Sequence, residues 1–395
     1  MNKINKIFEA FELAKQQYKE VLWKRRIFDK IAWNEKLVWL YGLRWVWKTT
    51  ILFQKLNETK NSIYLSMDWG FLKEESLYEL IKEIYKTYKI ENFFVDEIHF
   101  CETWREDLKN VYDLLPVKVY FSGSNQIWIY EKWADLSRRA IFYYVPIFSL
   151  REFLNLKFGY DLEVLEFKDI FMPASYTSYL SKVSLNHLKE YLRFWQFGFY
   201  YENPDTYEFK LNQVVKKMIY EDGIDFMKIE KISDLEKLLY FIANTVQNKL
   251  SYTALAKKLQ VHPKTIQNYL IFLEKIGIIK NIPKYGTISD SLRKEVKPYF
   301  MATNFVYVFC VDCFSDAIIW KLRENFFVSS IKNFNLNVDM FFKTTTDFVI
   351  KFQNKEYEFE IWWKSKTRKD VFVVKDDILL WDENTIPLWV FWMLW

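Results

Sequence analysis

The chain has 395 residues, of which 27% are charged, and a formal net charge of +5 at pH 7. This length predicts about two to four domains with sizeable cores, and the mildly basic balance permits nucleic-acid contact without arguing for it. No apolar run reaches the roughly 18 residues of a membrane span, and the start lacks the apolar region of a signal peptide. We therefore expect a cytoplasmic protein without membrane spans.

The cysteines point to the same compartment. Three cysteines are too few for a disulfide framework and predict a reducing environment. Cys310 and Cys313 form a lone CxxC in an apolar run. Because no second ligand pair accompanies them, buried thiols are favoured over metal ligands.

The first segments of the chain lead to a phosphate-binding motif. Residues 1–30 are charged and amphipathic and predict an N-terminal helix, the apolar run 37–41 predicts a strand, and residues 49–56 predict another helix. Except at its second glycine, the intervening GLRWVWKTT matches the loop pattern G-x-x-x-x-G-K-[ST], whose backbone N–H groups surround phosphates. The predicted nucleotide-binding residues are Gly42, Leu43, Arg44, Trp45, Val46, Trp47, Lys48, Thr49 and Thr50.

Tryptophan stands at the second glycine position of that loop, Trp47. A chain of this length would carry about 28 glycines at roughly 7%, whereas this one has 8 Gly and 17 Trp, which together approach that expectation. We interpret many tryptophans as glycines encoded by UGA, and expect Trp69, Trp104 and Trp389 to be genuine. The alternative is an aromatic-rich protein with a decayed loop. The tryptophans at glycine-like positions are Trp45, Trp47, Trp133, Trp362, Trp363 and Trp381.

Further strands are predicted at 63–68, 92–97 and 117–122, with a helix at 74–88. Strands that alternate with helices at this spacing indicate a parallel sheet with helices on both faces, hence an α/β fold. We expect the strand at 37–41 to lie next to the strand at 92–97.

Candidate catalytic residues follow two of these strands. Asp96 would hold Mg²⁺ together with Thr49, and Glu97 would act as the base for an attacking water. Ser124, with Asn125 beside it, would position that water, unless the two only form a turn.

For three other polar residues near the predicted sheet, the sequence indicates a catalytic role less strongly. Arg139, or its neighbour Arg138, would stabilise γ-phosphate charge in cis or from a neighbouring subunit; a solvated pair is the alternative. His99 is interpreted as structural.

The second half of the chain changes character twice. Residues 160–240 are mostly helical in pattern. In 251–285 a short helix, a turn and a helix opening at Pro263 and ending near Gly277 predict a helix-turn-helix with a following strand, hence a winged helix. Its second helix should bury Ile266, Tyr269, Leu270, Leu273 and Ile276 and expose Lys264, Thr265, Gln267 and Asn268.

Beyond Lys297 the pattern is mixed α/β. KPYFMATNFVYVF suggests strands, DAIIWKLRENFFVSSIKNF a helix, and the last part a strand pair joined by a turn at residues 353–355.

The runs GLRWVWKTT, FFVDEIH, FSGSNQ, LSRRAIFYYVP and FSLREFL together resemble the prokaryotic AAA-type ATPases that carry a C-terminal domain of unknown function. The likeness covers nearly the whole chain and is most specific over residues 37–154. It implies a P-loop NTPase domain at 31–155, a helical lid or linker at 156–240, a winged helix at 241–290 and a small restriction-endonuclease-like α/β domain at 291–395.

The resemblance also implies roles for single residues. ATP would bind at Gly42 and Lys48 to Thr50, the metal at Asp96, and Glu97 would be the base. Arg139 matches the family's arginine just before the strand that leads to Ser149–Phe153.

The related nuclease fold places an Asp on one strand and Glu-x-Lys on the next. Asp347 and Glu360, with Glu324 on the preceding helix, would be its carboxylates. Lys364 comes too late for that motif, which favours a degenerate binding scaffold over an active nuclease.

Two functions follow from these patterns. The leading hypothesis is a Mg²⁺-dependent ATPase acting as a switch or motor, with output through the winged helix and the C-terminal domain. The alternative is a noncatalytic DNA-binding or interaction protein with a dead nucleotide site. The predicted partners are ATP, DNA at the winged helix, a protein client and further copies of the chain.

Overall fold

The computed structural model describes residues 3–19, 23–72, 74–123, 136, 138–201, 203–227, 231–244, 252–286, 296–313, 315–335, 337–361, 371–381 and 384–395. The chain separates into two compact units, Met1–Pro146 and Ile147–Trp395. The five-part division of the sequence stays a prediction. Across the described residues, every helix is too short or too polar to cross a membrane.

A five-stranded sheet forms the centre of the first unit, and all its neighbouring strands are parallel. Most residues of its first four strands in chain order are buried, as expected of a parallel sheet that other elements cover on both faces. In the last strand, at the sheet edge, only Ala140 is buried. This confirms the predicted α/β sheet. The strands are β1 (Leu37–Tyr41), β2 (Ser62–Ser66), β3 (Asn92–Asp96), β4 (Lys118–Gly123) and β5 (Ala140–Tyr144).

The strand order, β2-β3-β4-β1-β5, corrects one prediction. β1 does not lie next to β3, because β4 pairs with both of them. The order depends on long-range pairing, such as that of Leu37 with Val119, which no local pattern records.

Within the described residues of this unit, five helices accompany the sheet. α4 shows why they form: Ser76 caps its first turn by accepting from the Glu79 amide, and Leu77, Leu80, Ile81 and Ile84 make one buried stripe. The helices are α1 (Lys3–Gln17), α2 (Ile27–Lys30), α3 (Lys48–Asn57), α4 (Leu77–Tyr88) and α5 (Trp104–Leu114).

The second unit begins with helices. A capping box at Ser149 and Glu152 starts the first of them. The helices are α6 (Leu150–Phe158), α7 (Leu185–Arg193), α8 (Tyr207–Met227) and α9 (Ile232–Asn244). Residues 160–184, predicted to be mostly helical, instead contain only 3-10 turns between irregular stretches.

A helix-turn-helix and an antiparallel hairpin follow: α10 (Tyr252–Leu259), α11 (Pro263–Lys275), β6 (Ile279–Pro283) and β7 (Val296–Phe300). The five residues predicted to form the buried stripe of α11 are all buried, and Gly277 has the left-handed φ of 79° that follows a helix end. Lys264 and Asn268 are exposed as predicted, whereas Thr265 and Gln267 are half-buried.

The last part of the chain is an α/β layer. Its sheet has the order β12-β11-β10-β9-β8, antiparallel from β8 to β10 and parallel from β10 to β12. The predicted turn is confirmed, with positive φ at Gln353 and Asn354. The elements are α12 (Thr303–Phe309), α13 (Asp316–Phe334), β8 (Asp339–Phe342), β9 (Phe348–Phe352), β10 (Lys355–Ile361), β11 (Val371–Lys375) and β12 (Thr385–Pro387).

Two predictions for this region are wrong. NFVYVF is helical within α12 rather than a strand, because buried side chains fix its first turn: the Asn304 amide donates to Gln196 Oε1 at 3.0 Å and Gln196 Nε2 to Thr303 Oγ1 at 2.7 Å. Cys310 and Cys313 are not buried thiols, since they are half-buried and joined by a disulfide.

Candidate nucleotide site

The predicted phosphate-binding loop connects β1 to α3, the context that such a loop requires. Its first residue, Gly42, has φ 152°, and a Cβ there would collide with the carbonyl of Val145. Only glycine fits this position. Leu43 and Val46 are buried and anchor the loop, while Thr50 lies in the first turn of α3.

Trp45 and Trp47 both adopt the left-handed conformation, each with φ 66°. That region costs an L-residue roughly 1–2 kcal/mol, and glycine is its usual occupant. Trp45 is 47% exposed, and Trp47 is half-buried with its ring edge-on to Trp23 at 6.2 Å. Neither indole lies in a core, as the recoding hypothesis predicts. Trp195 also has a positive φ, 75°, which the sequence patterns did not indicate.

Lys48 is buried inside the loop. Its Nζ donates to the carbonyls of Gly42 at 3.1 Å and Leu43 at 2.7 Å. Burial lowers the pKa of Lys48 to about 8, although the charges of Glu97 and Asp96 act in the opposite direction. These two hydrogen-bond acceptors are neutral carbonyls, so an anion bound in the loop would give the ammonium a charged acceptor as well.

Asp96, the last residue of β3, receives donors from several elements. Thr49 Oγ1 donates to Oδ2 at 2.6 Å and the Tyr64 hydroxyl to the same oxygen at 3.0 Å. Ser122 Oγ and the Glu97 amide donate to Oδ1. Burial, and next the charge of Glu97, raise the pKa of Asp96, while the three hydroxyl donors act against that rise. The expected contact of Thr49 with Asp96 is confirmed even though β4 lies between β1 and β3, because α3, which carries Thr49, packs across β4, β3 and β2.

Glu97 follows directly and is half-buried. It has φ 47°, a conformation that costs a non-glycine residue energy and that is found repeatedly at functional sites. Its Oε2 lies 3.3 Å from His99 Nδ1. His99, interpreted from the sequence as structural, therefore contacts the predicted base.

Arg139 lies away from this cluster. It directly precedes Ala140, which pairs with Leu37 at the opposite, amino-terminal edge of the sheet. Its guanidinium donates to both carboxylate oxygens of Asp113 at 3.0 Å. This placement does not fit the predicted role in cis. Arg138 is exposed, and Ser124 and Asn125 fall outside the described residues.

Three residues near the site were not found from the sequence: Tyr64, Ser122 and Arg25. Arg25 is only 1% exposed, and its Nη1 donates to the carbonyls of Val46 at 2.9 Å and Pro146 at 2.7 Å. Ser122 was visible as a polar residue in an apolar strand, whereas nothing local distinguishes Tyr64 from a core aromatic.

Of the candidate carboxylates of the C-terminal region, Glu324 is buried, whereas Asp347 and Glu360 are half-buried. Glu324 accepts from the Tyr299 hydroxyl at 2.7 Å, and Asp347 accepts from the Ile361 amide at 2.7 Å. Burial raises the pKa of Asp347. Glu360 lies beside Asp347 in the β9–β10 ladder, where Phe348 pairs with Phe359. Lys364 is outside the described residues, and among those described no cluster of three or more acidic, His or Cys groups could hold a metal ion.

Comparisons with known proteins agree with the geometry of the first unit. Residues 34–154 match the family model described as AAA domain, and residues 198–306 match a domain of unknown function. The parallel sheet and the phosphate loop of the segment 34–154 fit the P-loop NTPase fold of such a domain. No matched family model supports the nuclease-like assignment of the C-terminal region.

Whole-chain relatives add little about activity. An uncharacterized protein of Methanocaldococcus jannaschii is 27% identical over 319 residues, which are 75% of this chain and 67% of that protein. Among solved structures, the Saccharomyces cerevisiae Hsp104–ADP complex is 15% identical with a TM-score of 0.29, over 68% of this chain and 39% of that one. AMPPCP-bound DnaA from Aquifex aeolicus is 13% identical with a TM-score of 0.26, over 67% and 87%. Scores this low do not establish a common overall fold.

Proposed function

We propose that the first unit binds ATP with Mg²⁺ and hydrolyses it, and that positions 45 and 47 are glycine in the native protein. The observation that carries this proposal is the 2.6 Å hydrogen bond from Thr49 to Asp96 beneath a loop whose backbone is left-handed at both tryptophans. Hydroxyl and carboxylate are the donor set that magnesium in a phosphate-loop site uses. With glycine at both positions, the loop amides are free to face phosphate oxygens.

Each residue has a distinct task in this proposal. Lys48 would leave the loop carbonyls to neutralise phosphate charge, and Thr49 and Asp96 would hold Mg²⁺, which would supply further positive charge against the phosphates. Glu97 accepts a proton from the attacking water. Ser122 orients Asp96 and the Glu97 amide. Ser124 as a water-positioning residue remains a prediction.

Arg139 enters the proposal as a residue supplied in trans. Its position at the opposite edge of the sheet supports action on the γ-phosphate of a neighbouring copy. The proposed assembly is therefore a homo-oligomer in the cytoplasm. ATP-dependent changes would be transmitted through the helix-turn-helix of α10 and α11, which we propose to be a winged helix. They would also be transmitted through the C-terminal region, which we propose to be a degenerate nuclease-like scaffold that binds a client or DNA.

The second candidate function is a noncatalytic interaction protein. The indoles at 45 and 47, if genuine, favour it, because an indole at the second glycine position would occupy phosphate space. The exposed Lys264 and Asn268 on α11 then offer DNA contact without hydrolysis.

The test uses the full chain with Trp45→Gly and Trp47→Gly, assayed for Mg²⁺-ATP binding and turnover. Lys48→Ala should abolish binding, while Glu97→Gln should retain binding and lose turnover, because the base acts only on the attacking water. Lys55→Ala, on the same helix, is the control and should change neither. Equal loss of binding in both site variants contradicts the assigned roles, and no binding by the parent supports the noncatalytic candidate.

A further inference from the structure

We propose that Tyr64 is a positioning residue: its hydroxyl fixes the Asp96 carboxylate in the orientation that holds Mg²⁺ with Thr49. This inference rests on the proposed ATPase function and deepens it. No sequence motif marks Tyr64, which is a single aromatic residue in the apolar run of β2.

The reach of the phenol explains why a tyrosine is needed. Tyr64 pairs with Phe94 and Ser66 pairs with Asp96 in the β2–β3 ladder. Residues two apart in a strand face the same side and lie roughly 6–7 Å apart. The Tyr64 side chain spans that interval and ends 3.0 Å from Asp96 Oδ2, which a serine or threonine at this position could not do.

Neighbouring aromatic rings hold the Tyr64 phenol in place. Tyr64 is 5% exposed, and its ring lies 4.4 Å from Phe53 of α3 and 5.9 Å from Trp69. Phe53 is stacked in turn on Tyr18 at 4.5 Å. Since α3 also carries Lys48 and Thr49, one helix sets both the loop residues and the donor that orients Asp96.

The hydrogen bond from Tyr64 affects the metal site because Thr49 donates to the same carboxylate oxygen. Asp96 Oδ2 accepts from Tyr64 and from Thr49, at 3.0 and 2.6 Å. A threonine that donates its proton to the carboxylate keeps its oxygen lone pairs available for a metal ion. Without the phenol, one donor to that oxygen is lost, and the acceptor for Thr49 is less well fixed.

The experiment compares Tyr64→Phe with a matched variant, Tyr120→Phe, in the full chain carrying glycine at 45 and 47. Tyr120 lies in β4 of the same sheet, is 2% exposed, and donates its hydroxyl to the Trp33 carbonyl at 2.6 Å. Each variant therefore loses one buried phenol hydrogen bond, but only Tyr64→Phe loses one to Asp96.

The readout is the Mg²⁺ dependence of fluorescent ATP binding in a Glu97→Gln background, so that turnover plays no part. We expect Tyr64→Phe to raise the half-saturating Mg²⁺ concentration by about tenfold, the scale of a hydrogen bond to a charged group, and to leave Mg²⁺-free nucleotide binding unchanged. Tyr120→Phe should keep the parent Mg²⁺ dependence.

Unchanged or tighter Mg²⁺ dependence in Tyr64→Phe overturns the inference, as does an equal shift in both variants. If the parent protein binds nucleotide and the two variants show the same Mg²⁺ dependence, the role of Tyr64 is refuted while the proposed function stands. A parent that binds no nucleotide refutes the proposed function, and the role of Tyr64 with it.

Discussion

Replacing Trp45 and Trp47 by glycine should leave the first unit as stable as before or stabilise it. The left-handed backbone at each position costs an L-residue roughly 1–2 kcal/mol, and glycine removes that cost. Glycine also loses more conformational entropy on folding, which offsets about 0.5–1 kcal/mol of the gain at each position. Trp45, at 47% exposure, loses little burial, and half-buried Trp47 loses about 1 kcal/mol. For the pair, these terms sum to between about 1 kcal/mol of destabilisation and about 2 kcal/mol of stabilisation, so that the centre of the range is a slight stabilisation.

The control for this prediction is Trp104→Ala in the same unit. Trp104 is 3% exposed and packs edge-on against Trp39 at 5.3 Å, so its truncation should cost about 3–5 kcal/mol. The assay is urea unfolding followed by far-UV circular dichroism, with hydrogen exchange of the β1 and β4 amides to report on this unit. A loss in the double glycine variant as large as that of Trp104→Ala would refute the reasoning.

Burial that lowers the pKa of Lys48 to about 8 costs the folded chain about 3 kcal/mol below pH 8, and stability recovers as the pH rises towards the unfolded pKa. Lys48→Met should therefore stabilise the free protein at pH 7 in urea titrations and lose that advantage near pH 10.5; a constant difference would refute this. Arg25→Lys should weaken ATP binding and lower the Tm, since the shorter lysine side chain does not bring its nitrogen to the place of Arg25 Nη1, which donates to both Val46 and Pro146. An unchanged Tm in calorimetry would contradict this prediction. The full chain incubated with plasmid DNA and Mg²⁺ should not cleave the DNA efficiently. Efficient cleavage that Asp347→Ala abolishes would show instead that the C-terminal region is an active nuclease. In the gene, the six glycine-like tryptophans should be UGA and Trp104 or Trp389 UGG; UGG at position 47 would end that hypothesis.

The elements nearest the phosphate loop could be predicted because their signals are local. An apolar run before Gly42, a Lys-Thr pair at the start of a helix and an acidic pair after a buried strand each follow from chemistry within a few residues. The buried stripe of α11 was likewise visible from helical spacing.

The parts that the sequence did not reveal depend on distant partners. β4 lies between β1 and β3 through pairings between distant segments of the chain. NFVYVF has strand propensity, yet Gln196, more than a hundred residues away, holds it as a helix. Tyr64 and Arg25 look like ordinary core and surface residues until tertiary packing brings them to Asp96 and the loop.

The central claim is that the loop carries glycine at positions 45 and 47 in the native protein and can therefore hold ATP. Cleavage after Glu35 and Glu58 releases a fragment, residues 36–58, that contains Trp39, Trp45 and Trp47. Mass spectrometry of that fragment from the source organism should show a mass lower by at least two indolylmethyl-for-hydrogen exchanges, with fragment ions that assign glycine to both loop positions. Fragment ions that carry tryptophan at position 47 would contradict the claim and favour the noncatalytic candidate.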